Sequence, residues 1–268
     1  MALLALKLLL TPLLVGAASL GARRWGPMAG GWIVSLPLTS GPVAFLLALD
    51  RGPAFAATAA HASLAGCLAV AAYCLMYSRL AHRGWLLAVS VAATGWIAGA
   101  LLAETSASWL VPLTLALVVA ATASALGLFP RAIPSESKAS AGWGDIAVRM
   151  AVGALVVVIV TAIAPFVGPT VSGLLPMLPI IGTILAVFAQ RTGGPQDGIG
   201  VQRGILAGLF GTAAFLAVVA WALTPWGIGP AFLGAIVTVT LVQVFSLRLF
   251  TPMRRAAPAP ASAPVLSP

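Results

Sequence analysis

The sequence predicts an all-α, polytopic membrane protein of about nine transmembrane helices, built as two inverted four-helix repeats joined by a central helix. Three observations lead there: apolar runs too long and too many for a soluble core, cationic residues that sort to one side of those runs, and an internal duplication.

Of 268 residues, 61% are hydrophobic and only 7% charged. Soluble domains carry about 25% charged residues. A span needs roughly 20 apolar residues, and the sequence supplies such runs at 2–21, 30–49, 55–78, 84–103, 108–129, 147–165, 171–190, 202–223 and 228–249. These divide the chain into a first repeat (1–103), a linking helix and loop (104–146), a second repeat (147–250) and a Pro/Ala-rich tail (251–268) expected to be disordered. The loop from Pro130 to Asp145, with its Ser, Pro, Lys and Glu residues, reads as a linker between the halves.

The first run has small residues from Val15 to Ala22, as a signal-peptide cleavage site would. No basic run precedes it, so it is expected to stay as a span.

A net charge of +9 in a soluble protein would suggest nucleic acid. Here no basic run is interleaved with aromatics, and the cations sort by loop. With the N-terminus outside, Arg23, Arg24, Arg79, Arg83, Arg131, Lys138, Arg149, Arg191, Arg203, Arg248, Arg254 and Arg255 all fall on the inner side, and Arg51 alone on the outer. Cytoplasmic loops collect Lys and Arg. The expected location is therefore the bacterial inner (plasma) membrane, multi-pass, with the N-terminus outside and the C-terminus cytoplasmic. Trp25, Trp85, Trp109, Trp143 and Trp226 lie near span ends, as interfacial anchors do.

The duplication appears at an offset of 142 residues. From Gly26 to Tyr73 it runs without a gap, and 13 of 48 positions are identical, seven of them Gly or Pro. Gly26-Pro27 matches Gly168-Pro169, Gly31 matches Gly173, Leu36-Pro37 matches Leu178-Pro179, and Gly52-Pro53 matches Gly194-Pro195. Leu64-Ala65-Gly66 matches Leu206-Ala207-Gly208. Shared Gly and Pro report backbone geometry rather than greasiness. Four spans per unit with one between them start the units on opposite sides, so the halves are expected to be inverted. Many secondary transporters are built this way, with the solute site at the repeat interface.

The second run of each unit is the unusual one. It carries Pro37 and Pro42 among Ser35, Thr39, Ser40 and Gly41 in the first unit, and Pro176 and Pro179 among Gly182 and Thr183 in the second. Proline removes a donor and clashes with the carbonyl four residues back, so both runs should break or kink. Backbone freed at membrane depth must be met by protein or by a water-filled cavity. The candidate solute-binding residues are therefore Pro37, Thr39, Ser40, Gly41, Pro179, Gly182 and Thr183. The competing reading is a pair of kinks that serve packing alone.

Lys7 and Arg149 match across the repeat and, with His61, are candidates for a charge or proton path. The bland alternatives are snorkelling to the interface for the two cations and packing or a hydrogen bond for His61. No carboxylate is expected deep in a span, which favours a neutral or anionic solute over a cation.

Cys67 and Cys74 fall seven residues apart in one run, about 10 Å along a helix, too far for a disulfide. They read as small apolar residues. Phosphate loops, paired-His metal motifs and nucleophile turns do not occur in the sequence. The expectation is a non-enzyme with no cofactor and no bound metal. Its expected partners are the lipid bilayer and a small solute, with no nucleic acid. Small-xxx-small pairs such as Gly204/Gly208 and Gly95/Gly99 permit close helix approach, and a homo-oligomer is left open.

The Gly-Pro, small-Gly, Leu-x-Pro pattern, followed by an apolar run and a Gly-containing loop, resembles the GlpM-like small bacterial inner-membrane proteins. The second half carries it from Gly168 to Gly208, and the first through Gly26-Pro27, Gly31, Pro37 and Leu64-Ala65-Gly66. Members of that family are single units, so the resemblance implies a fused tandem pair; the extra central helix departs from a plain tandem. It implies no catalytic residues. The functional expectation is a small inverted-repeat secondary transporter. The alternative is a non-transporting membrane subunit, for example an accessory of envelope polysaccharide or lipid export.

Overall fold

The computed structural model describes residues 2–38, 40–105, 109–130, 143–163 and 177–250; the side chains of 2–11, 143, 156–163 and 247–250 lie outside that description. The tail 251–268, most of the linker loop, Thr39 and the Gly168-Pro169 joint therefore fall outside it too.

The chain is all helical among the described residues. The helices are α1 (Ala2–Trp25), α2 (Pro27–Val34), α3 (Ser40–Arg51), α4 (Pro53–Leu80), α5 (Trp85–Glu104), α6 (Val111–Gly127), α7 (Trp143–Ile163), α8 (Ile180–Gly193), α9 (Pro195–Trp226) and α10 (Ile228–Phe250). A short 3-10 turn, Ala81–Arg83, follows α4. Four segments are long and apolar enough to cross a membrane: Pro53–Arg83, Trp85–Glu104, Pro195–Trp226 and Ile228–Ser246. Their outward faces carry exposed Leu86, Ile97, Leu101, Leu233, Ile236 and Leu241. Such apolar surface suits lipid better than water.

Gly–Pro joints start three helices. Gly26, Gly52 and Gly194 hold φ of 94°, 89° and 91°, a region that a side chain rarely adopts, and each is followed by proline at the first helical position. Proline there gives up an N–H that has no intrahelical partner anyway.

The expected break is present in the first unit; in the second, the described residues resume at Met177, just before a helix start, and Pro176 lies outside them. Helix α2 stops at Val34 and α3 starts at Ser40; in the other half α8 starts at Ile180. The same tight turn marks both places. Leu38 N–H donates to Leu36 O at 2.7 Å, and Ile180 N–H to Leu178 O at 2.8 Å. Pro179 has φ −78° and ψ 50°, close to an inverse γ-turn. One residue on, Gly41 N–H donates to Pro37 O at 2.9 Å and Thr183 N–H to Pro179 O at 2.8 Å. All four bonded residues on one side map onto the other at the 142-residue offset.

The core is the pair α4 and α9, which pack on each other, with α6 against both. Helix α5 packs on α4 and α10 on α9; α1 packs on α2 and α7. Helix α2 lies backbone-to-backbone on α9. A Cβ on Gly31 would run into Val201 O, and one on Gly204 into Met28 O. This explains why glycines stand there.

One boundary differs from expectation in a way that matters. Helix α9 begins at Pro195, seven residues before the expected 202, so Asp197 lies in its first turn. Asp197 is buried, its carboxylate packed at Gly193. The carboxylate is thus buried at the end of a packed helix, in its first turn, and not deep along it.

Candidate functional site

The two breaks meet across the core. The position of a Cβ on Gly182 lies 4.0 Å from Val34 Cγ1 and 2.5 Å from Ile205 Cδ1. Each break also packs on the long helix of the other half. Gly208 of α9 faces Ser35, and Gly66 of α4 faces Met177, whose Cγ would be 2.7 Å from an added Cβ. Ser35 and Met177 are equivalent positions, as are Gly66 and Gly208. The pattern is reciprocal, residue i on j′ and j on i′, as a twofold relation produces.

A second reciprocal pair sits one turn along. Tyr73 of α4 bonds Thr183 of α8 through their hydroxyls at 2.7 Å. The equivalent residues, Phe215 and Gly41, touch without polar atoms, with Phe215 Cζ 3.3 Å from a Cβ on Gly41. Thr183 Oγ1 donates its single proton to Pro179 O at 2.7 Å, so the Tyr73 hydroxyl is the donor to Thr183.

Carbonyls freed by the breaks are met by protein. Thr212 Oγ1 donates to Ser35 O, and Trp96 Nε1 donates to the equivalent Met177 O at 3.1 Å. Buried carbonyls without a donor would each cost about 1–3 kcal/mol. Of the expected solute-binding residues, Pro37, Ser40, Gly41, Pro179, Gly182 and Thr183 are gathered at the two breaks; Ser40 and Gly182 are buried. Thr39 lies outside the described residues.

The charge-path residues do not join this cluster. His61 Nε2 is 2.8 Å from Thr114 Oγ1, which ties α4 to the central helix α6. Arg149 is buried, not snorkelled. It donates to Asp145 at 2.5 Å, one turn back on α7, and its guanidinium lies 5.1 Å from the Phe188 ring centroid. Its charge is thus neutralised locally, and the surrounding protein rather than headgroups receives it. The Lys7 side chain lies outside the described residues. Cys67 and Cys74 are free and buried. No group of three or more metal-ligating side chains occurs among the described residues.

Beyond the hydroxyls beside the prolines, the structure adds neutral polar groups on α4 and α8 that proline spacing does not point to. Both tyrosines of the chain, Tyr73 and Tyr77, stand one turn apart on α4. Tyr77 donates to Gln190 Oε1 at 2.7 Å, and Gln190 Nε2 donates to Ala81 O at 2.7 Å. The signal was available: tyrosine and glutamine inside an apolar run are as costly to bury unpaired as they are uncommon there.

Compared with family models, with curated proteins and with solved structures, the chain matches none of them.

Proposed function

We propose that the chain is a small inverted-repeat secondary transporter, moving a neutral or anionic small solute past the paired breaks at Pro37 and Pro179. The observation that carries this reading is the reciprocal seating of each break on the other unit's long helix, Ser35 on Gly208 and Met177 on Gly66. Chain direction supports the inversion. Tyr73 pairs with Thr183 and Tyr77 with Gln190, so α4 and α8 run the same way. Helix α3 packs on α4 after a one-residue joint and so runs against it. Since α3 and α8 are equivalent, the units then face opposite ways. Discontinuous helices in matching places of two inverted halves are the arrangement that alternating access uses. The charge ledger supports an outside N-terminus in a bacterial inner membrane.

One observation favours the second reading, a non-transporting subunit. Ser35 O and Met177 O already have donors in Thr212 and Trp96, so neither break needs a ligand to be satisfied. The resemblance to GlpM-like proteins adds no activity to either reading.

Proteoliposome flux decides between them. With radiolabelled glycerol, urea, acetate and phosphate as probes, the transporter reading expects uptake of at least one by the native chain. Thr39→Val combined with Thr183→Val should cut that uptake at least fivefold while the yield of monodisperse protein is unchanged. Absence of protein-dependent flux for all four probes supports the accessory reading and overturns transport.

A further inference from the structure

Gln202 of α9 is fully buried, and neither its amide oxygen nor its amide nitrogen has a hydrogen-bond partner among the described residues. A carboxamide presents an acceptor and two donors, and leaving all of them unmet in a closed interior is strongly unfavourable. Hydroxyls can find a carbonyl of their own helix; a mid-helix glutamine with both ends unmet has no such local remedy here. The residue therefore marks a place where something polar belongs that no described residue supplies.

Its surroundings can be located from the register of α9 on α8. A Cβ on Gly198 would lie 3.1 Å from Gln190 Oε1, and Ile205 packs at Gly182. Gln202 falls between those two levels, opposite the stretch of α8 from Thr183 to Gln190. That stretch faces Tyr73 and Tyr77 of α4. Side chains in a helix lean back toward its N-terminus, which carries the Gln202 amide toward the Tyr77–Gln190 end. The two tyrosine rings, 6.4 Å apart and stacked, wall that end. The groups so gathered are hydroxyls and carboxamides. Arg203, half-buried, follows Gln202 directly but is turned about 100° round the helix from it; Asp197 is turned toward Gly193, and Arg149 is held by Asp145.

We infer that a small, uncharged, hydrogen-bonding solute binds between α4, α8 and α9, with Gln202 as its main ligand and Tyr77 and Gln190 beside it. The inference rests on the transport reading and narrows its solute class from neutral or anionic to neutral. A site without an ionised group offers an anion no return for its lost hydration, whereas amide and hydroxyl groups match a polyol or an amide donor for acceptor. The binding site also becomes one-sided. Gln202 is matched by Ala60 at the repeat offset, and Tyr73 by Phe215, so only the crossing of α4 and α8 is polar.

Sided chemical access tests this without knowing the solute. In the full chain with Cys67→Ala and Cys74→Ala, Gln202→Cys is reconstituted and treated with three thiosulfonates differing in charge: hydroxyethyl (neutral), sulfonatoethyl (anionic) and trimethylammonioethyl (cationic). Intact mass gives the rates. Leu64→Cys, equally buried but among apolar residues, is the control. The neutral reagent should modify Cys at 202 at least tenfold faster than either charged one, and tenfold faster than the control. No reaction above the control means a closed interior and overturns the site. Comparable reaction with the anionic reagent overturns the neutral class but leaves the transport reading standing. The expected pattern without flux of any probe by the native chain would remove transport and keep the site. Should Gln202→Cys fail to give monodisperse protein, Tyr77→Cys is read by the same criteria. In the otherwise native chain, Gln202→Leu should reduce probe uptake at least fivefold without lowering Tm; unchanged uptake contradicts the inference.

Discussion

At Pro37 the freed carbonyl of Ser35 accepts from a threonine, Thr212; at Pro179 the equivalent carbonyl of Met177 accepts from an indole, Trp96. One turn further, Gly41 meets the ring edge of Phe215, while its counterpart Thr183 meets the hydroxyl of Tyr73. The two crossings share a backbone, turn for turn, and differ in side-chain chemistry. Backbone geometry is held by Gly and Pro, which recur at both places. Side chains around it differ, while at each place the freed carbonyl has its donor. One crossing is apolar and the other carries a hydrogen-bonded stripe.

The largest effect expected from breaking the comparison lies in the glycines. Gly31→Ala sets a methyl against the Val201 carbonyl, and backbone in a packed helix pair cannot step aside. A loss of about 3 kcal/mol or more is expected, read as unfolding in detergent or as absence of monodisperse protein. Gly66→Ala meets only the flexible Met177 side chain, and should cost about 1 kcal/mol. Equal losses at the two positions would show that the backbone contact is not what holds α2 to α9.

Next come the carbonyl donors. Thr212→Val keeps shape and removes the donor to Ser35 O; Trp96→Phe removes the donor to Met177 O. Each should cost about 1–3 kcal/mol, the penalty of a buried acceptor left unmet. Loss at one and none at the other would mean that water reaches one of the breaks.

The smallest effect sharpens the comparison. Tyr73→Phe converts the polar crossing into the likeness of the apolar one, and Thr183 keeps its bond to Pro179 O. A loss of about 0.5–1.5 kcal/mol is expected. Phe215→Tyr makes the opposite change opposite Gly41, which offers no side-chain acceptor, so it should destabilise rather than restore symmetry.

Much of the fold was legible in the sequence, and for identifiable reasons. Long apolar runs mark helices whatever their packing, and the ends of α5, α6 and α10 fall within three residues of expectation. The break at Pro37 was legible because proline acts locally. The start of α9 was not, since Gly194-Pro195 followed by Gln196 and Asp197 reads as loop until Pro195 is taken as a first helical residue. At the site, Thr183 was legible from its place beside Pro179. Tyr73, Tyr77, Gln190 and Gln202 were not, because their roles depend on which helix faces which, and no local pattern carries that. Arg149 illustrates the same limit: its partner Asp145 is one turn away in sequence, but its burial against Phe188 is tertiary.

The central claim is that the two units face opposite ways across the membrane. Asp50 and Thr192 test it most directly. They are equivalent at the 142-residue offset, both exposed, and each lies just before a Gly-Pro joint. Asp50→Cys and Thr192→Cys are introduced singly; native Cys67 and Cys74 are buried and need no replacement. In intact cells stripped of their outer membrane, a membrane-impermeant maleimide should label Cys at 50 at once and Cys at 192 only after permeabilisation. Labelling of both from the same side would make the repeats parallel and contradict the account.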